Sequence, residues 1–496
     1  MKTLIALLLV VLTYLPTKAQ DVCNEIRIDY LESSDAEVDA LPILKWKDGY
    51  LAWGSKKNEI SVGFANKEMK FEELDVYNLN TNNEDFIDLN IINGEIVLIV
   101  MSGEYNKSKK NSEYQLSIIP FETETMQFGE PKMVHKVIAT DKDFKFDVTI
   151  SENEEFILVN ADIQNKKEKQ NGYDFVVLDR ELQLVWKRKI IWQGKGFIAP
   201  GVWDQHFTNS GDLVLIVGTR SFSNPEYFKK DSKMYIYTKD QENPVEVEDI
   251  DFNIKGKDNI YIDHSNGDFE LFYDGLVKDD NVVYGGVRIS SETHKVVNET
   301  LTPISLEMQT LFLDDKEVKD VKSKVSRGKQ VFIPFSYHYK DIIIGADGSL
   351  YLIYERLYST QSSISSPVFY YGDNIKILKF SKNREFEWAS EIEKDQLSRN
   401  CYWCTGHILV ELSNGNLGFI YNAVTKYDMN TSKDDMKIFY SELDILDGEM
   451  NQCLLINSTE ENCYFNRSYY SILEGELYLE FQRKDNKEKR VLLTFD

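Results

Sequence analysis

The chain is short of the residues and motifs that announce chemistry. Of 496 residues only six are histidine and five cysteine, and the histidines are scattered, so their spacing defines no metal or catalytic cluster. No Gly-x-Ser-x-Gly elbow, His-Glu-x-x-His helix or Walker loop occurs, which removes the signatures of serine hydrolases, zincins and P-loop enzymes. Positive charge is in deficit. Against 82 Asp and Glu stand 57 Lys and Arg, a net charge of -25; such a surface repels phosphate backbones, so nucleic acid is not an expected partner. Beyond the first twenty residues no apolar run reaches the roughly 20 residues a membrane helix needs, so no transmembrane segment is expected.

Those first residues have the three parts of a secretory signal: Lys2, an apolar stretch from Leu4 to Leu15, and Thr17-Lys18-Ala19 before Gln20. Residues 1–19 are therefore expected to be removed, leaving 20–496 as one exported domain, periplasmic or extracellular. Gln20-Asp21-Val22 lacks the small residues of a lipidation site before Cys23. In an oxidising compartment the late cysteines Cys401, Cys404, Cys453 and Cys463 are disulfide candidates. Cys453 and Cys463 flank a polar connection, 457–462, and can pair across it. Cys401-Tyr-Trp-Cys404 is open to three readings: a small disulfide ring, a redox motif, or half a zinc site with His407. Its flanks lack the helix start that activates a redox CxxC, and Thr405 stands where a c-haem motif needs His. Cys23 is left as the odd thiol.

What the chain does have is a repeated phrase, a tight polar turn followed by a short apolar strand. The turns are Asp48-Gly49, Asn93-Gly94, Asn153-Glu154, Ser210-Gly211, Asp280-Asn281, Asp347-Gly348, Asn414-Gly415 and Glu474-Gly475, spaced by 45, 60, 57, 70, 67, 67 and 60 residues. Turn-and-strand units at a near-constant period imply stacked β modules, and a closed β-propeller is their natural form. Eight blades are expected, with seven as the alternative because the fifth repeat is irregular and the first short. The sixth repeat divides into four strands around residues 339–344, 350–354, 375–380 and 385–392. Aligned on Trp186 and Trp388, repeats three and six match at Leu184/Phe386, Leu178/Phe380 and Ile190/Ile392. Only two strands follow Glu474. The strand-like stretch 25–30 is therefore expected to complete the last blade, removing two open edges. Residues 305–327 read as a partly amphipathic helical insertion, and 359–371 as a loop between two strands of blade six, the kind of place where binding resides.

Candidate chemistry is sparse. His206 with Asp204, and His407, precede repeat turns on presumed innermost strands, where they are candidates for one mouth of a channel or for polar filling of it. Asp141-Lys-Asp143 offers carboxylates for Ca²⁺ but no Gly-turned ligand loop, so no cofactor is expected. Abundant tyrosine, 28 residues, suits cross-strand packing or a binding face.

The run from Ser305 through Asp347-Gly348-Ser-Leu-Tyr-Leu-Ile-Tyr-Glu355 and Asn374-Ile-Lys-Ile-Leu-Lys-Phe380 to Ile392-Glu-Lys-Asp-Gln396 resembles a module of secreted, uncharacterised proteins of the Bacteroidota, over about residues 300–425. Glu393-Lys394-Asp395 replaces the Pro-Lys pair of that module. The resemblance implies no activity. Asp179-Arg-Glu-Leu-Gln-Leu-Val-Trp186 resembles, more loosely, quinoprotein-type propeller repeats, whose tryptophans dock between blades; the Thr-Gly turn of those repeats is absent, and with it the case for a quinone. Together these readings give an exported, non-enzymatic binding or scaffolding propeller for an envelope protein or glycan. The alternative is a polysaccharide hydrolase or lyase using carboxylates, or Asp204, His206 and His407, at the channel mouth.

Overall fold

A computed structural model of the chain describes residues 26–495, except 32–39, 48, 57, 67–70, 81–83, 93, 107–110, 140–143, 145, 166–169, 194–197, 222–226, 249, 251–258, 279–280, 304–309, 311–312, 314, 328–337, 362–367, 395, 400–405, 429–432, 457–462, 474 and 484–487. The strands form eight antiparallel sheets, the blades of an eight-bladed β-propeller. Blades 1 to 7 cover residues 40–78, 84–139, 146–193, 198–247, 259–303, 338–399 and 407–456. Within each, four strands pair in chain order; blade 2 adds the short strand Gln127–Phe128 against its third strand and blade 6 adds Gln396–Arg399 against its third.

Blade 8 is built from both ends of the described chain. Its first three strands are Cys463–Leu473, Glu476–Arg483 and Glu488–Phe495, and Ile26–Leu31 is the fourth, pairing Ile28 with Leu493. The seven-blade alternative is thereby excluded, and the strand expected at 25–30 takes the expected place.

The repeated turn joins first and second strands through a common two-bond geometry. Gly211 N–H donates to the Thr208 carbonyl and Thr208 N–H to that of Asp212; the same pair recurs at Gly267/His264, Gly348/Gly345 and Gly415/Leu412. The glycines carry φ of 78°, 85°, 84° and 86°, the left-handed region that costs glycine little. Blade 3 places Glu154 there, at φ 58°. One expectation is corrected. In blade 5 the joining turn is Asn266-Gly267, whereas Asn281 opens the third strand, Asn281–Ile289, and pairs with Lys278 at the end of the second, Phe269–Lys278; Asp280 lies outside the described residues. The Gly211-to-Gly267 spacing is then a regular 56 residues, and the irregularity moves to the 81 residues before Gly348. That interval holds the insertion, in which Asp315–Val325 forms helix α1; of the expected 305–327, residues 305–309, 311–312 and 314 lie outside the described residues.

By contact the chain divides into two units, residues 1–55, 62–73 and 305–496, and residues 56–61 and 74–304. In the first, blades 6, 7 and 8 pack second and third strands into clusters such as Ile353, Ile375, Ile377, Phe419 and Tyr421, all fully buried. In the second, Leu158, Phe175, Val177, Leu213 and Leu215 do the same between blades 3 and 4. Sandwiched strands have two buried faces, which is why these runs are continuously apolar. The tryptophans mark the seams. Trp186 Nε1 donates to the Gly211 carbonyl of the following blade at 3.0 Å, and the Trp388 ring lies against Gly448 of blade 7.

Candidate functional site

In the second unit, the first strand of blade 4, Ile198–Phe207, shifts register between Val202 and Asp204. Asp204 and His206, two residues apart, share a face, and meet Tyr261 and Asp263 on the first strand of blade 5, Asn259–Asp263. His206 Nε2 lies 2.9 Å from Asp263 Oδ1, and its ring stacks on Tyr261 at 4.6 Å. Tyr261 Oη donates to Asp204 Oδ2 at 3.1 Å; Asn209 N–H donates to Asp263 Oδ2 at 2.7 Å. Asp263 is buried and His206 is 14% exposed. The sequence reading selected Asp204 and His206 and missed their partners, which announce themselves only as an alternating Tyr-x-Asp.

In the first unit, His407 opens the first strand of blade 7, His407–Glu411, and its side chain is 2% exposed. Its Nδ1 lies 3.1 Å from Glu355 Oε2 and its Nε2 3.1 Å from Asp341 Oδ2, both carboxylates belonging to blade 6. The other oxygen of Glu355 pairs with Lys394 Nζ, which also donates to Gln396 Oε1 at 2.8 Å. Glu355 and Lys394 side chains have no exposure, whereas Asp341 is half-exposed. Burial by itself would raise the Glu355 carboxyl, but the Lys394 and His407 charges and their hydrogen bonds hold it well below the carboxylate range. Burial would likewise lower His407. The Glu355 charge and the hydrogen bonds His407 donates to Asp341 and Glu355 outweigh it and raise His407 above its ordinary value, with Lys394 opposing. His407 was selected from sequence; Asp341, Glu355, Lys394 and Gln396 were not.

Gln396 extends this network. It donates through Nε2 to the carbonyls of Gly406 and Asn422 at 3.0 and 2.5 Å, and its Oε1 accepts from Gly406 N–H at 2.9 Å. It also begins Gln396–Arg399, a strand that pairs with residues 369–372. There the second and third strands of blade 6, Leu350–Thr360 and Phe369–Phe380, run on beyond the blade with Tyr358 opposite Tyr371. Of the expected loop 359–371, residues 359–360 and 369–371 are strand and belong to a three-stranded extension, while 362–367 lie outside the described residues. Gly372 is required where it stands, because a Cβ would sit 2.2 Å from Gln396 Oε1.

On this extension the rings of Tyr358 and Tyr371 stack at 4.7 Å and 5°. The Arg356 guanidinium lies 5.0 Å from the Tyr358 centroid and 3.6 Å from Asp373. Tyr358 is 39% exposed.

Among the described residues no group of three or more His, Cys, Asp and Glu is arranged to hold a metal. Asp141, Asp143, Cys23, Cys401 and Cys404 lie outside the described residues, as does the segment 1–19. Cys453 lies on the fourth strand of blade 7, Met450–Ile456, and Cys463 begins the first strand of blade 8. No helix among the described residues is long and apolar enough to cross a membrane.

The class these features define is an eight-bladed propeller with polar seams and one extended blade. No family model matches the chain, and no curated protein does. Among solved structures it is similar to the WD40 domain of SCAP from fission yeast, with 8% identity over 95% of each chain and a TM-score of 0.37. It is also similar to the polysaccharide lyase Uly1, with 9% identity over 94% of each chain and a TM-score of 0.37. A third is prolyl oligopeptidase B from Galerina marginata, with 8% identity over 96% of this chain and 57% of that one and a TM-score of 0.38.

Proposed function

We propose that this is an exported binding propeller of the bacterial envelope, whose partner is a protein engaged by the extension of blade 6. The observation that carries the reading is the Arg356–Tyr358–Tyr371 stack, set on a three-stranded projection. Tyrosine and arginine are among the side chains enriched at interface hot spots, and tyrosine buries large area at little entropic cost. A rigid blade beneath them reduces the ordering cost of binding further. Export is supported by the disulfide at Cys453, a bond that persists in oxidising compartments; we assign its partner as Cys463. The hydrolase or lyase reading has less support, because both ring nitrogens of His407 already face carboxylates.

The test is a crosslinked pull-down of the mature protein from its native envelope, wild type against the Tyr358→Ala/Tyr371→Ala double variant, with a glycan array alongside. If the pair contributes about 2 kcal/mol, recovery of a stoichiometric protein partner falls roughly thirtyfold at unchanged thermal stability. Equal recovery by both proteins, or selective glycan binding with no protein partner, overturns the reading.

A further inference from the structure

The buried network and the extension meet at one place. Glu355 is the last residue of the blade proper on the second strand; the register shifts between it and Leu357, where the extension begins. Lys394 and Gln396 bracket the start of the extension's third strand, and His407 starts the adjoining blade. The chain of contacts Asp341–His407–Glu355–Lys394–Gln396 therefore ties the foot of the extension to blade 7.

The chemistry of that chain depends on one proton. Carboxylates only accept hydrogen bonds, and a neutral imidazole has a single N–H. With a carboxylate 3.1 Å from each ring nitrogen, only the imidazolium satisfies both. The charges then balance, two carboxylates against Lys394 and His407. Loss of the proton sets a ring lone pair against a carboxylate and leaves a net negative charge where Glu355 cannot reach water. Among the described residues, the charged groups acting on His407 are Asp341 on the first strand of blade 6, Glu355 on the second, and Lys394 ahead of the extension's third strand. From blade 7 itself the ring meets Phe419, 5.7 Å away.

We infer that this chain is a protonation-dependent latch, which holds the blade 6 extension against blade 7 and releases it as His407 becomes neutral. Resting on the reading of the extension as the binding surface, it makes partner engagement sensitive to alkaline pH. Asp341 is the solvent-facing end of the latch, 42% exposed, and provides the route by which the proton is lost.

The test is amide hydrogen exchange of residues 357–360, 369–372 and 396–399 in the full mature chain, corrected for intrinsic rates, from pH 6 to pH 9. In the wild type, protection of these amides falls by about tenfold or more across that range, because His407 gives up its proton as pH rises, while blade 3 amides hold theirs. Asp341→Asn flattens the dependence at high protection, because its amide donates to the unprotonated Nε2 while Nδ1–H still serves Glu355. His407→Gln flattens it at low protection; should that variant fold poorly, Asp341→Asn decides alone. Wild-type protection that, so corrected, is flat with pH, or an Asp341→Asn profile that falls like the wild type, overturns the latch. These outcomes need no partner. A flat profile with partner loss in the tyrosine variant sinks the latch alone, and a falling profile with no partner loss sinks the binding reading alone.

Discussion

Glu355 carries two positive partners in a space water does not reach, so removing either partner leaves an uncompensated buried charge. Lys394→Met is expected to cost about 3–5 kcal/mol, the usual penalty for breaking a buried pair from one side, measured by denaturant unfolding; a loss below about 1 kcal/mol would contradict the network as drawn. The pH dependence has a definite sign. His407 is raised above 6.5 by its carboxylates, so its contribution is fully present below its unfolded value and is lost as pH rises through the folded one. Glu355 is depressed, so its contribution is present above its unfolded value and disappears as pH falls through the folded one. Wild-type unfolding free energy should therefore decline on the alkaline side of neutrality, and His407→Gln should remove that decline. Glu355, Lys394 and Gln396 stand in the run that carries the resemblance, but nothing in the sequence joined them to one another or to His407. The network's pairs are 39, 52 and 66 residues apart, and an acidic chain offers too many carboxylates for spacing to select two.

At the scale of the element, the turns were legible because their conformation demands particular residues. A glycine at positive φ before an apolar strand is a strong signal, and most of the turns were read from it. Blade 5 misled because asparagine also tolerates the left-handed region, so Asp280-Asn281 before Val-Val-Tyr imitates the phrase while Asn266-Gly267 forms it. Glu154 is the natural experiment within this set. It occupies the glycine position at φ 58°, and Glu154→Gly should raise stability by about 0.5–1 kcal/mol by relieving left-handed strain. At Gly211 a Cβ would also meet the Phe156 ring at 3.0 Å, so the mirror-image change Gly211→Ala should lower stability. Equal midpoints for both variants and wild type in chemical denaturation would contradict the turn assignment. The strand continuation at 359–360 and 369–371 was missed for a different reason: its pairing with the distant strand Gln396–Arg399 is invisible locally.

For the molecule as a whole, the repeat of turn and strand, the favoured blade number and the strand supplied by the N-terminal region were readable, because only two strands follow the last turn and that blade needs completing. Deleting residues 20–31 exposes the edge of Glu488–Phe495, and the truncated protein is expected to self-associate and unfold at lower temperature; a monomer of unchanged stability on size exclusion and thermal melting would contradict the role of that strand. Function was the part the sequence withheld, because a binding surface on a propeller is an arrangement of ordinary residues on an unusual projection. The most direct measurement places a photoreactive p-benzoyl-phenylalanine at position 358, and separately at the exposed Leu184 position of blade 3, and compares what each captures in the native envelope. The account predicts one abundant protein crosslinked from position 358 and not from position 184. Indistinguishable capture at the two positions would contradict it.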